Sequence, residues 1–215
     1  MAHAESSAAQ ALAYIKKRLI SGEFASGARL TEEGLARDLG LSRTPVREAI
    51  RRLVADGVLR FKPNSGTFVA EWTDDEIRQI FDLRTLLEAQ IAEAAALNIT
   101  PQELAALEAV QRDIESAAGR RSDAALQRRS ALNRRFHALI AAASRKTRLA
   151  GALASAIEMP IVQQTFRRYS AKQSKRSLAH HHELLDALRA RDPQWARAVM
   201  TSHIRAAMHA LLQPD

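Results

Sequence analysis

The stretch from Leu39 to Leu53, Leu-Gly-Leu-Ser-Arg-Thr-Pro-Val-Arg-Glu-Ala-Ile-Arg-Arg-Leu, constrains the fold more than any other part of the chain. Gly40 suits a tight turn after a short helix, Ser42 is a helix N-cap residue, and Pro45 falls in the first helical turn, where its missing N–H costs little. A helix therefore starts near Arg43. Val46, Ala49, Ile50 and Leu53 recur at three- and four-residue spacing, and Arg43, Arg47 and Arg51 stack one turn apart on another face. The stretch reads as the second half of a helix-turn-helix.

Guanidinium groups on such a helix can enter a major groove, pair bidentately with guanine edges or hold phosphates. The same stripe also fits an amphipathic helix whose basic face is simply solvated, so its surroundings decide. From Arg43 to Lys62 there are six basic residues against Glu48 and Asp56, a local charge of +4 in a chain whose net charge is +8 and whose pI is near 10.5. That balance fits a polyanionic partner. The 215 residues, 47% of them hydrophobic, suffice for one large domain or two small ones, and beyond Ala70 the pattern is long and helical. A mostly α fold follows. With no cysteine, disulfides, thiolate metal sites and cysteine nucleophiles are excluded. No apolar leader and no run near the roughly 18 apolar residues of a membrane helix is present, which leads to the expectation of a cytoplasmic protein without a membrane partner.

In chain order, a helix is expected from about Ala8 to Ile20, burying Leu12, Ile15, Leu19 and Ile20. Thr31 caps a short second helix whose Leu35 and Leu39 pack on the first, and the arginine helix follows. Gly57 ends it. Val58 to Phe61 and Thr67 to Val69 read as strands around the turn Pro63-Asn64-Ser65-Gly66, a β-hairpin. Lys62, Asn64 and Gly66 place it to touch a sugar-phosphate backbone, although an ordinary hairpin closing a domain would look the same.

These residues together resemble the winged helix-turn-helix of the GntR family of bacterial transcriptional regulators. The resemblance rests on Leu30-Thr31-Glu32-Glu33, Leu35-Ala36, Leu39 to Ile50, Leu53, Asp56-Gly57 and Gly66-Thr67-Phe68-Val69. It implies double-stranded DNA contacts by Arg43 and Arg47, with Thr44 beside them and the wing turn near Gly66. Glu33 stands where some members carry a basic residue.

Thr73-Asp74-Asp75-Glu76 has capping-box spacing and opens a second domain, its first helix running through Ile77, Ile80, Phe81, Leu83, Leu86, Leu87 and Ile91 to about Asn98. Thr100-Pro101-Gln102-Glu103 repeats the signature and opens a helix to about Ala118, stopped by Gly119. Further helices are expected at Asp123 to Ala143, Thr147 to Tyr169 with a kink at Pro160, Ser174 to Ala190, and Pro193 to Leu212 after an Asp192 cap. The expected domains are thus 8–71, three helices with a hairpin wing, and 74–212, a bundle of about six helices.

Asn133 and His137 lie four apart and share a helix face, with Cβ atoms roughly 5–6 Å apart. His181 sits among Leu178, Leu184 and Leu185, and His203 lies in the last helix. Three imidazoles and an amide could converge in a bundle core and bind zinc, nickel, manganese or a related divalent ion, whereas a lone helical histidine is equally at home as a core or surface residue. His3 and His209 have no partners at useful spacing.

Residues Asp74 to Leu212 resemble the all-helical FCD effector domain of the FadR subfamily of GntR regulators. The pieces are Leu83-Arg84 with Leu87-Glu88, Asn133-x-x-Phe136-His137, His181 before Leu184-Leu185-Asp186-Ala187-Leu188, then Asp192 and His203-Ile204. The resemblance implies metal ligation by Asn133, His137, His181 and His203, with His182 a weaker candidate than His181. Asn133 replaces an acidic residue common in the family, which leaves a bound metal more electropositive and favours an anionic effector such as a small carboxylate. Arg84 is the candidate counter-charge, and it equally fits a structural ion pair. The whole reads as a homodimeric repressor of a pseudo-palindromic operator. Two other classes stay in view: a metal-dependent hydrolase or lyase using the histidines, and a non-specific architectural DNA binder.

Overall fold

The computed structural model describes residues 6–118, 122–157 and 169–213. Two compact units divide the chain, 1–72 and 73–215.

In the first unit, α1 (Ser7–Ser21) buries Ala11, Ile15 and Leu19, while Leu12 and Ile20 stay half-buried, so its core stripe is narrower than the apolar pattern suggested. Helix α2 (Glu32–Leu39) is capped by the Thr31 hydroxyl, which accepts from the Gly34 N–H. Gly40 takes the left-handed conformation (φ 64°), and its N–H closes α2 on the carbonyls of Ala36 and Arg37. Helix α3 (Arg43–Ala55) then packs against α1 and α2 through Val46, Ala49, Ile50 and Leu53, all buried. Ser42 has the extended backbone of an N-cap, but its hydroxyl makes no capping hydrogen bond.

Strands β2 (Leu59–Lys62) and β3 (Gly66–Val69) pair antiparallel, Leu59 opposite Val69 and Lys62 opposite Gly66, and form the wing. A strand the sequence pattern did not reveal, β1 (Arg29–Leu30), pairs with the other edge of β3 and gives the order β1-β3-β2. Two residues show no period. Only the backbone hydrogen bonds of β3, available after the chain has turned back, make them a strand.

Every regular element among the described residues of the second unit is an α-helix. Helices α4 (Asp74–Asn98) and α5 (Pro101–Ser116) each begin with a complete capping box, Thr73 with Glu76 and Thr100 with Glu103. Then follow α6 (Asp123–Ala143), α7 (Thr147–Ile157), α8 (Ala171–Arg189) and α9 (Pro193–Leu212). Helix α4 makes its broadest contact with α9 and also packs on α6, α7 and α8; α5 lies against α6 and α8. Phe81, Phe136, Ile91, Leu107, Ile114, Ile140, Leu184 and Leu188 fill the space between them and are fully buried. Each such side chain contributes on the order of 1.5–3 kcal/mol of hydrophobic stabilisation.

Two boundaries differ from expectation. Helix α8 starts at Ala171 and not near Ser174, because Ser170 and Gln173 form a third capping box. Tyr169, expected at the end of a helix, is outside any helix. The Pro160 kink, the Gly119 stop and His3 lie outside the described residues.

Candidate functional site

Two sites are built in opposite ways. In the first unit, Arg43, Thr44, Arg47 and Arg51 are all exposed on α3, opposite its buried stripe, and present an unbroken polar face. Lys62 and Asn64 are exposed on the wing, Lys62 with its ammonium 5.1 Å from the centre of the Phe68 ring. Asn64 (φ 60°) and Gly66 (φ 109°) turn the wing through positive φ, and a Cβ on Gly66 would come 3.2 Å from Arg29 Nε. The positive φ favours glycine at 66, and the flexible Arg29 side chain would have to give by a few tenths of an ångström to admit a Cβ. Arg47 is engaged by Glu32 of α2: both carboxylate oxygens accept from Nε, at 2.9 and 3.1 Å, and Oε2 accepts from Nη2 at 2.8 Å. The Arg47 hydrogen bond holds the Glu32 carboxyl below the usual carboxylate range against the opposing effect of burial.

In the second unit, α6 presents Asn133 and His137, α8 presents His181 and α9 presents His203. All three histidines are buried, and each offers a ligand atom within 4.8 Å of the others. Their rings stand 4.9–5.8 Å apart centre to centre. Phe136 stacks flat on His181 at 4.3 Å and holds that ring in place.

The outer nitrogens are tied. His137 Nδ1 donates to Glu88 Oε2 at 2.6 Å, since an ionised carboxylate only accepts. His181 Nδ1 donates to Gln111 Oε1 at 2.9 Å, and the Gln111 amide is oriented by donating in turn to Glu115 Oε1 at 2.8 Å. These contacts hold both rings with Nε2 turned toward the cluster. Those inner atoms have no partner: His137 Nε2, His181 Nε2, His203 Nδ1 and Asn133 Oδ1 are all buried without a hydrogen bond. Burial first, and then the neighbouring histidines, holds His181 and His203 well below the ordinary imidazole range, so both rings are neutral near pH 7. Three convergent, desolvated histidine nitrogens, with the buried Asn133 Oδ1 one helical turn before His137, are a donor set that suits a divalent cation. They fit such an ion.

Glu88 also takes Arg84, whose Nε and Nη2 lie 2.9 and 2.8 Å from Oε1. Burial pushes the Glu88 carboxyl up, yet Arg84 and His137 outweigh it and bring it down to about 2. Arg84 is thus the buried partner of a carboxylate, while its charge still acts on Tyr169 and His203. Arg129 and Arg176 act on Tyr169 as well, whose hydroxyl burial pushes up to about 12. Within the run His180 to His182, His181 faces the cluster and His182 pairs with Glu115 on the surface at 2.5 Å. His180 comes within 5.8 Å of the His203 ring, with a buried Nδ1 that has no partner.

Glu88, Gln111 and His180 had no role in the sequence reading. A signal existed for the first two. Arg84 and Glu88 occupy the same seven-residue stripe as Ile77, Phe81 and Ile91, and Gln111 lies between Val110 and Ile114, so charge and amide sit on apolar faces.

Comparison with known proteins agrees with both halves. Residues 7–69 match the bacterial regulatory proteins of the gntR family, and residues 79–206 match the FCD domain. Among curated relatives, an uncharacterized HTH-type transcriptional regulator of Bacillus subtilis is 32% identical over 59% of this chain and 55% of its own length. The Escherichia coli HTH-type transcriptional regulator McbR is 37% identical over 48% of this chain and 47% of its own. The chain spans about half the length of these curated relatives. A probable D-xylose utilization operon transcriptional repressor of Paenarthrobacter nicotinovorans aligns further, 28% identical over 94% of this chain and 88% of its length. The solved structure of E. coli McbR superposes with a TM-score of 0.82 at 27% identity, covering 98% of this chain and 99% of that one. The chain belongs to the gntR family of bacterial regulatory proteins, among those that carry an FCD domain.

Proposed function

We propose that the chain is a bacterial transcriptional repressor that binds double-stranded operator DNA as a homodimer and releases or tightens its grip when a small carboxylate effector occupies the helical domain. The observation that carries the regulatory half is the set of four buried, partnerless acceptors on Asn133, His137, His181 and His203. A structural core seldom leaves such atoms unpaired, and the three histidines each offer a ligand atom within 4.8 Å of the others. They are the proposed ligands of zinc, nickel or manganese. When bound, such an ion supplies an open coordination position and positive charge for an effector carboxylate. Arg84 and Arg129, both buried, add positive potential on the same side of the bundle as Tyr169.

Arg43, Thr44, Arg47 and Arg51 form the proposed major-groove face, with Lys62, Asn64 and Gly66 on the flanking backbone. Two recognition helices on successive grooves require a two-fold axis, and Leu83 and Leu86, 47% and 67% exposed one turn apart on α4, offer an apolar strip for a second copy. Among the described residues, no helix is long and apolar enough to cross a membrane. DNA binding places the repressor in the cytoplasm.

A hydrolase reading is disfavoured by Glu88, the carboxylate beside the histidines: its oxygens are committed to Arg84 and His137, which leaves it no role as a general base. An architectural binder would not need the buried cluster. The experiment is elemental analysis of tag-free protein, wild type beside His181→Ala, followed by operator selection with and without metal and a panel of small carboxylates. About one metal per chain, lost in the variant, and carboxylate-dependent operator affinity support the reading. No metal and no stabilisation by zinc, nickel or manganese would overturn its regulatory half. Asn133→Asp should raise metal affinity by adding a charge to the ligand set; a decrease would refute the charge argument.

A further inference from the structure

Glu32 opens α2 in its first turn, where the helix N-terminus favours a carboxylate. Its side chain reaches across to α3 and grips Arg47 along one edge of the guanidinium, Nε and Nη2. Arg43 Nη2 stands 3.6 Å from the same carboxylate. A guanidinium has five N–H donors in a fixed fork, and the side edge is now occupied. What remains for a partner is the terminal edge, Nη1 with the outer hydrogen of Nη2.

The geometry points to Glu32 as a specificity-determining residue that holds Arg47 with its terminal fork toward the DNA and makes it a reader of guanine. This rests on the DNA-binding reading of α3 given above. Two parallel donors match the O6 and N7 acceptors of guanine; adenine sets a donor beside its N7, thymine gives one acceptor beside a methyl, and cytosine gives a donor. A phosphate also has two acceptors, but the Glu32–Arg47 pair is neutral overall. Its pull on the backbone is therefore weak, and hydrogen-bond direction, which carries sequence, is what the pair retains. Holding the side chain in one geometry before the DNA arrives also reduces the ordering cost of binding.

The consequence is an opposite effect on affinity and on specificity. Removing the carboxylate charge frees an extra cation for phosphates, so binding to any duplex tightens while the choice of base at one position relaxes. Glu32 is half-buried, and Gln preserves its length and shape, so the substitution leaves the fold intact.

Full-length wild type, Glu32→Gln, Arg47→Ala and the double variant are each used to enrich binders from a pool of random-sequence duplexes. Affinities are then measured over a salt series for the enriched duplex, its single-base variants and an unrelated duplex. Wild type should select a guanine once per half-site that Arg47→Ala no longer selects. Glu32→Gln should weaken that preference about 10-fold, within the discrimination expected of one bidentate pair. It should also bind the unrelated duplex more tightly and steepen the log-affinity against log-salt slope by about 0.9 per half-site. In the double variant the base preference should equal that of Arg47→Ala alone. Undiminished guanine preference in Glu32→Gln, with all duplexes tightened alike, would make Glu32 a mere charge brake and overturn the inference while leaving DNA binding in place. Failure of the wild type to enrich any sequence would overturn the DNA-binding reading as well.

Discussion

The α3 face and the histidine cluster do their chemistry in opposite dielectric surroundings. The first is a row of exposed cations on one helix, Arg47 paired with Glu32 of α2, where solvent screens the charges and removing one costs little stability. The second gathers polar atoms from five helices, with Glu88 on α4, Gln111 on α5, His137 on α6, His181 on α8 and His203 on α9, all in a core. There every unpaired group is costly, so function and stability are entangled. A change on α3 should alter recognition alone, and a change in the cluster should alter both.

The sharpest break of that contrast is Glu88→Gln. It leaves Arg84 charged and without its carboxylate in the core and loosens His137, and should destabilise the helical domain by about 3–5 kcal/mol, measured by urea unfolding. The same variant should lose about 10–100-fold in metal affinity, because the carboxylate that orients the His137 ring is gone. If its stability matched wild type, the pair would be a surface-like ion pair and the contrast would collapse. Chelation comes next. Wild type held at about 100 times the metal dissociation constant should lose about 2.7 kcal/mol of stability when metal is stripped, whereas His181→Ala should show no difference between the two conditions.

Arg43→Ala should cost about 1–3 kcal/mol of operator affinity while the melting temperature stays put. A drop in melting temperature would show that α3 is entangled with the core after all. Thr100→Ala removes one capping box and should cost about 1 kcal/mol of global stability with operator affinity unchanged. The smallest effect is a pH dependence. Glu103, hydrogen-bonded by Arg145 and by the Thr100 backbone, has its folded pKa lowered to about 2 from the ordinary 4.5. Its contribution is therefore complete above about 4.5 and fades as pH falls toward 2. Melting temperatures of wild type and Glu103→Gln should converge across that window; a constant gap would show that the carboxylate charge is not what matters.

The helix starts were legible because capping is local: Thr31, Thr73, Thr100 and Asp192 each accept from a backbone N–H three residues on. So was the division of α3 into a buried and an exposed face, which follows from 3.6-residue periodicity. The early start of α8 was missed because Ser170 and Gln173 make a capping box with glutamine in place of glutamate. Strand β1 was missed because two residues carry no pattern. Arg84 was legible as a charged residue but not as the partner of Glu88 and, through it, of His137, which lies 49 positions beyond Glu88.

Local chemistry along the chain settled the caps, the amphipathic faces, the wing turn and the histidines worth considering, since each depends on neighbours within about one turn. Tertiary packing settled which nitrogens of His137 and His181 are tied and which are left bare, that His181 and not His182 turns inward, and that Arg47 meets solvent already held by Glu32. Those outcomes depend on side chains brought together by burial of apolar faces on separate helices, and the hydrophobic stripe that drives this burial is indifferent to the polar groups it carries along.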